Sequence, residues 1–177
     1  MKLFKIFLGF WILIGAFWGI SLLFPREFKV DRSIVIDKPV YETFAYLNNI
    51  NNIAKLSPWD KKIDSSMTWF FSKNTSGKNA SYYFNGNLLG VGYLKINECV
   101  LNEKLETILS INGGELTSGS TFYFESIGTD KTKLSWRDYK DVGYNPFHRY
   151  QIPSKTAQTE LQFDEGLVKI KIAVMSN

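Results

Sequence analysis

The chain of 177 residues contains a single cysteine, Cys99, and a single histidine, His148. One thiol forms no intramolecular disulfide and no cysteine-built metal site, so nothing here requires an oxidising compartment. One imidazole excludes two-histidine metal motifs of the H-E-x-x-H kind and leaves only one candidate imidazole base. Excess charge is also scarce where it would matter. The formal charge is +4, but three of the 21 basic residues (Lys2, Lys5 and Arg26) stand before the first acidic residue, Glu27, which leaves 18 basic against 17 acidic from there on. A sequence pI near 9.0 is therefore no argument for nucleic acid, which needs Lys and Arg gathered on one face. No internal repeat or low-complexity stretch is present, and the sequons Asn74-Thr75-Ser76 and Asn79-Ala80-Ser81 matter only in a eukaryotic secretory route.

What the chain does have is an apolar run from Ile6 to Phe24, nineteen uncharged positions between Lys5 and the pair Pro25-Arg26. At helical rise this gives roughly 28 Å, close to the thickness of a hydrocarbon core. A cleavable signal has a shorter apolar core and a small-residue cleavage site, whereas this run ends Ile20-Ser21-Leu22-Leu23-Phe24-Pro25. The reading is an uncleaved anchor over residues 1–26, followed by one domain over residues 27–177. Lys2 and Lys5 on one side balance Arg26, Lys29 and Arg32 on the other, so the positive-inside rule does not choose an orientation. The short N-terminal tail is expected to stay cytoplasmic, with the domain on the outer side of a bacterial inner membrane. Gly15 and Gly19 form a G-x-x-x-G pair that would let two such helices approach as a homodimer, although glycines are common in spanning helices generally. Only Pro25, Arg26 and Glu27 separate the run from the first predicted strand, which limits the linker to about 10 Å.

Phe28, Val30, Ile34 and Ile36 alternate with polar residues, the pattern of a half-buried strand. Asp37-Lys38-Pro39 then reads as a helix start with a capping carboxylate, ahead of Val40, Phe44 and Leu47 on one face. A second short helix is predicted at Ile53 to Leu56, ended by Ser57-Pro58-Trp59. Six strands follow: Met67 to Ser72, Ala80 to Gly86, Val91 to Val100, Leu105 to Ile111, Ser120 to Ile127 and Lys131 to Tyr139. Their turn residues include Gly77, Gly113-Gly114 and Gly128-Thr129-Asp130, which predicts an antiparallel meander. Asp141 to Pro153 reads as a long loop. From Ser154 to Met175 a helix is expected, with Ala157, Leu161, Leu167, Val168, Ile172 and Met175 as its apolar face. A strand over Leu167 to Met175 is the competing reading. Gly166 weakens such a helix, which implies a close neighbour at that point.

One strand, two small helices, six strands and a long C-terminal helix is the order of the helix-grip fold, an α+β architecture. The sequence resembles a membrane-anchored member of the polyketide cyclase/dehydrase-like group of the SRPBCC, or START-like, superfamily. The resemblance rests on Arg32 to Pro39, Ser57-Pro58-Trp59, Gly90-Val91-Gly92, Thr132 to Trp136 and Gly166 to Lys171. It implies a curved antiparallel sheet of about seven strands around the long helix, with a deep apolar cavity between them. It implies no single activity, because the fold serves carriers, receptors and a few enzymes.

Gly90-Val91-Gly92 is no phosphate loop, since a strand follows it; a bulge or tight bend explains the glycines. The ligand-cavity candidates are Trp59, Trp69, Tyr83, Tyr93, Phe122, Phe124 and Trp136 as aromatic wall, with Asn85, Thr107 and Asp138 as polar contacts. The same aromatics would also serve an ordinary core. Alternation puts Thr132, Leu134, Trp136 and Asp138 on one face of the last strand. His148 and Arg149 fall in the predicted loop, where they either gate a cavity mouth or are simply solvated. No nucleophile, base and orienting group converge, so no catalytic residue, metal or cofactor is assigned.

The function expected from these features is a membrane-tethered, non-catalytic module that holds an apolar small molecule or lipid. The alternatives are an enzyme acting on a cyclic or polyketide-like substrate through Asp138 or His148, and an interaction protein whose cavity is filled.

Overall fold

The computed structural model describes residues 2–56, 64–88, 90–114 and 116–177. The elements follow the order α1 (Lys2–Ser21), β1 (Glu27–Ile36), α2 (Val40–Leu47), α3 (Ile50–Leu56), β2 (Thr68–Phe71), β3 (Ser81–Gly86), β4 (Gly90–Val100), β5 (Lys104–Ile111), β6 (Leu116–Ile127), β7 (Lys131–Asp141) and α4 (Pro146–Met175). The strands form one seven-stranded antiparallel sheet in the order β1-β7-β6-β5-β4-β3-β2, so β2 to β7 are a run of hairpins. A seven-stranded antiparallel sheet with a long C-terminal helix is the helix-grip fold. Ser57-Pro58-Trp59 lies outside the described residues.

By internal contacts the chain divides into two compact units, Met1–Val30 with Asp138–Gln162, and Asp31–Arg137 with Phe163–Asn177. In the larger unit, α4 buries Phe163, Leu167, Ile170 and Val174, whose spacing of four, three and four keeps them on one helical face. Leu167, Ile170 and Val174 join Ile36, Phe44, Leu47, Ile50, Tyr82, Phe84, Ile96, Leu105 and Leu134 in one core. The helix reading of Leu167 to Met175 is correct, but the predicted face is not. Leu167 alone of that set is in the core, whereas Leu161, Val168, Ile172 and Met175 are exposed. α4 carries two apolar stripes, and periodicity cannot say which of them is buried.

Gly166 has the close neighbour its position implied. A Cβ there would lie 2.6 Å from Cζ3 of Trp136, whose ring stacks on Phe163 at 4.1 Å between centroids. Asp37 does not cap α2. Pro39 occupies the cap position without a side-chain bond, and Asp37 instead pairs with Lys131 at 3.0 Å and Lys171 at 3.6 Å, which hold its carboxyl below the usual range. The bend reading of Gly90-Val91-Gly92 fits a Gly90 φ of +76° after the β3–β4 turn; the irregularity in β4 lies between Ile96 and Glu98.

In the smaller unit, β7 extends to Asp141 and α4 begins at Pro146, so residues 141–153 are not a long loop. Pro153 is the eighth residue of α4 and costs it one backbone bond without ending it. His148 and Arg149 are therefore helical residues and not a loop gate.

Candidate ligand wall and the base of the N-terminal helix

In the larger unit, one face of the sheet grades from a sealed core into a partly covered wall. Across β7, β6 and β5, Trp136 pairs with Phe122 and Phe122 with Leu105. One pair further along, Ser120 faces Thr107 and Thr107 faces Ile96; beyond these come Ser118, Leu109 and Leu94, and then Ile111 and Gly92. Leu105 and Ile96 are sealed, whereas Leu94, Leu109 and Ile111 are only partly buried against the core. The wall is thus apolar with hydroxyls at one row, the mixture that small-molecule sites use.

Two polar groups on this wall have defined states. Thr107 is buried, and its Oγ1 donates to the carbonyl of Ser120 at 3.3 Å. The Nε1–H of Trp136 is buried without a hydrogen-bond partner. A buried donor left unmatched costs about 1 to 3 kcal/mol, so an acceptor oxygen from a bound molecule would recover that free energy. The unmatched indole N–H carries no sequence signal, because whether a tryptophan donor finds a partner depends on the fold.

The remaining candidates separate cleanly. Phe122 and Phe124 are buried in the core, and Trp69 packs against it. Tyr83, Asn85 and Tyr93 do not line this wall: they stand on the opposite face, where Tyr83 is 52% exposed and its ring lies tilted across the ladder from Tyr93 at 5.8 Å. Asn85 is exposed too. Trp59 lies outside the described residues. An open cleft of about 260 Å³ lies elsewhere, between Lys38, Glu42, Tyr46 and Asn52 and the α4 end at Val174 and Asn177.

Asp138 belongs to the smaller unit and is half-buried. Burial raises its carboxyl above the ordinary 3.8, opposed by a backbone hydrogen bond from Tyr139 and by the charge of Lys140. A carboxyl raised in the folded state loses stability as pH climbs from the unfolded value through the folded one, because ionisation is disfavoured only in the fold. Asp138→Asn should therefore match the parent at about pH 3 and exceed it at neutral pH, read by urea unfolding at both. A parent that gains on Asp138→Asn with rising pH would contradict this environment.

The same unit holds the base of α1. Arg26 grips Asp141 with both arms, at 2.6 Å from Nη2 and 2.9 Å from Nε, and its guanidinium lies over the Tyr144 ring. Arg149 is only 7% exposed and donates to the carbonyls of Phe24 and Leu22. These are carbonyls just past the last turn of α1, where a cation also meets the negative end of the helix dipole. Tyr150 Oη donates to the Phe17 carbonyl at 2.6 Å, and Phe17 packs on Phe147 and Tyr150.

α1 carries no charge after Lys5. Its window Phe4–Ser21 has mean hydropathy 1.7 with 6% of it buried, and among the described residues it is the one helix long and apolar enough to cross a membrane.

No protein-family model matches the chain, and no curated protein does. Solved structures do match. The Aha1 dimer from Colwellia psychrerythraea aligns over 82% of this chain and 95% of its own at 14% identity with TM-score 0.53. Ara h 8.0201 aligns over 85% and 99% at 15% identity with TM-score 0.51. The di-domain ARO/CYC protein BexL of the BE-7585A biosynthetic pathway aligns over 83% of this chain and 46% of its own at 12% identity with TM-score 0.56. Identities this low speak to the fold alone. This chain has the helix-grip fold.

Proposed function

We propose that this protein is a membrane-tethered binding module that holds an apolar small molecule or lipid against the wall formed by Trp136, Phe122, Thr107, Leu109 and Leu94. The observation that carries this reading is α1. An apolar helix with only 6% of its window buried is suited to a lipid environment, and it leads within a few residues into β1. Whatever the wall binds is then drawn from compounds dissolved in or resting on the bilayer. The unmatched Trp136 donor favours a ligand that carries an oxygen acceptor, such as a carbonyl, carboxyl or hydroxyl on an apolar body. Gly15 and Gly19 have open space on their Cβ sides, which supports pairing of two α1 helices.

The test is native mass spectrometry of the full-length protein extracted with its surrounding lipid, followed by uptake of fluorescent fatty acids. A bound apolar species is expected in the parent. Leu109→Glu should abolish it, and Trp136→Phe, which keeps the ring and loses the N–H, should weaken binding about tenfold. Repeated recovery of empty protein with no uptake would defeat the proposal.

A second reading, an interaction protein with a filled core, is supported by Val168, Ile172 and Met175, an exposed apolar stripe on the outer side of α4. Enzyme chemistry has less support, because His148 is exposed.

A further inference from the structure

We infer that the N-terminal tip of α4, from Tyr144 to Phe147, enters the interfacial layer of the bilayer beside α1 and gives the protein a second point of contact with lipid. The inference rests on the reading that α1 spans the membrane, and it adds a surface that this reading does not require. A chain tethered by α1 alone would keep the first turn of α4 in water.

The geometry comes from contacts inside the smaller unit. Phe17 lies four residues inside the end of the apolar window at Ser21, roughly 6 Å along the helix axis. The rings of Phe147 and Tyr150 stand 5.2 and 5.0 Å from the Phe17 ring, and Tyr150 Oη reaches the Phe17 carbonyl. The first turn of α4 is thereby held beside the last turns of α1, at the depth of Phe17. If Phe17 is within the apolar layer, Phe147 is beside it. Phe147 is 65% exposed, and Tyr144, Leu22 and Leu23 are exposed as well, so this end of the unit presents apolar side chains that the protein leaves mostly uncovered.

The polar groups at the tip are arranged for such a layer. Asn145 Oδ1 accepts from the N–H of Phe147 at 3.0 Å, and Pro146 brings no N–H, so the start of α4 exposes fewer free donors than an ordinary helix end. Asp141 Oδ1 accepts from the N–H of Gly143 at 2.8 Å, and its charge is matched by Arg26. Arg149 is enclosed and directs its charge onto the carbonyls of Leu22 and Phe24. Tyr144 carries its hydroxyl toward Arg26 at 3.4 Å, an aromatic ring with a polar end, as found at the headgroup level of membrane proteins. Interfacial elements of this type sit about 5 to 10 Å into the headgroup and acyl boundary. Charge around the tip is mixed, with Arg26, Lys29 and Lys140 against Glu27 and Asp141, so the partner is a bilayer interface as such and not an anionic lipid in particular.

The experiment uses the full chain in a Cys99→Ser background, with single cysteines introduced by Phe147→Cys, Ile12→Cys and Glu125→Cys. Each carries an environment-sensitive fluorophore and is reconstituted into vesicles of equal phosphatidylcholine and phosphatidylglycerol. Ile12 is exposed within α1 and reports spanning, while Glu125 is on β6 and reports water. The expected result is a blue-shifted label at 147, quenched several-fold more than the label at 125 by lipids spin-labelled near the headgroup. The label at 12 should respond most to spin labels near the chain end. A lipid-buried label at 12 with a water-like label at 147 overturns the inference and leaves the anchor standing. Water-like labels at both positions overturn both. Tyr144→Cys reads the same layer if the Phe147→Cys chain does not fold.

Discussion

Gly92→Ala is expected to destabilise the domain by about 3 kcal/mol, a fall of roughly 10 °C in Tm. Gly92 sits in β4 opposite Phe84 on one side and Ile111 on the other. A Cβ at this position would lie 2.4 Å from Cζ of Phe84 and 2.5 Å from the carbonyl oxygen of Ser110. Neither neighbour yields easily. The Phe84 ring is sealed in the core beside Tyr82, and the Ser110 carbonyl belongs to β5, so moving it disturbs the ladder that holds the candidate wall together. Val91→Ala, one residue away on the exposed face, should change the melt little. Near-UV circular dichroism melts of both full-length variants in detergent decide the matter, and an unchanged Gly92→Ala curve would mean that the sheet adapts without cost.

Arg149→Ala is expected to loosen the base of α1 by about 3 kcal/mol. The side chain supplies charge-assisted hydrogen bonds to the carbonyls of Phe24 and Leu22, and truncation removes the donors of both. Arg149→Lys should recover only part of the loss, because an ammonium lacks the planar fork that spans two carbonyls. The effect is local, so global unfolding is the wrong measurement. Trypsin digestion of the reconstituted protein reports it: cleavage after Arg26, now guarded by its grip on Asp141, should accelerate many-fold in Arg149→Ala and to a lesser degree in Arg149→Lys. Equal cleavage rates in parent and Arg149→Ala would remove the capping role.

Much of the fold was legible because strands announce themselves by alternation. Phe28, Val30, Ile34 and Ile36 did so for β1, and Thr132, Leu134 and Trp136 for β7. The glycine at 166 likewise pointed to a close neighbour, which is the Trp136 ring. The failures have physical causes. In β3 the run Tyr82-Tyr83-Phe84 places aromatics on both parities, so no sequence pattern reveals that Tyr82 and Phe84 face in while Tyr83 faces out. Pro153 reads as a helix stop, yet a helix tolerates the loss of one backbone bond when other contacts hold it, and this hid the first eight residues of α4. Asp37 looked like a cap because capping is a local pattern, whereas its partners Lys131 and Lys171 are far away in sequence. Arg149 was hardest to read, since nothing near it in the chain signals a pair of carbonyls 125 and 127 residues earlier.

That separation has a consequence for synthesis. α1 emerges from the ribosome before α4, yet the groups that satisfy its terminal carbonyls and cover Phe17 and Phe24 belong to that later helix. Every nascent chain that stops before residue 149 thus has an unfinished base to α1, with free carbonyls beside bare aromatic rings. A stalled or truncated product is chemically distinguishable from a complete one at that spot, and completion of α4 is the event that removes the difference.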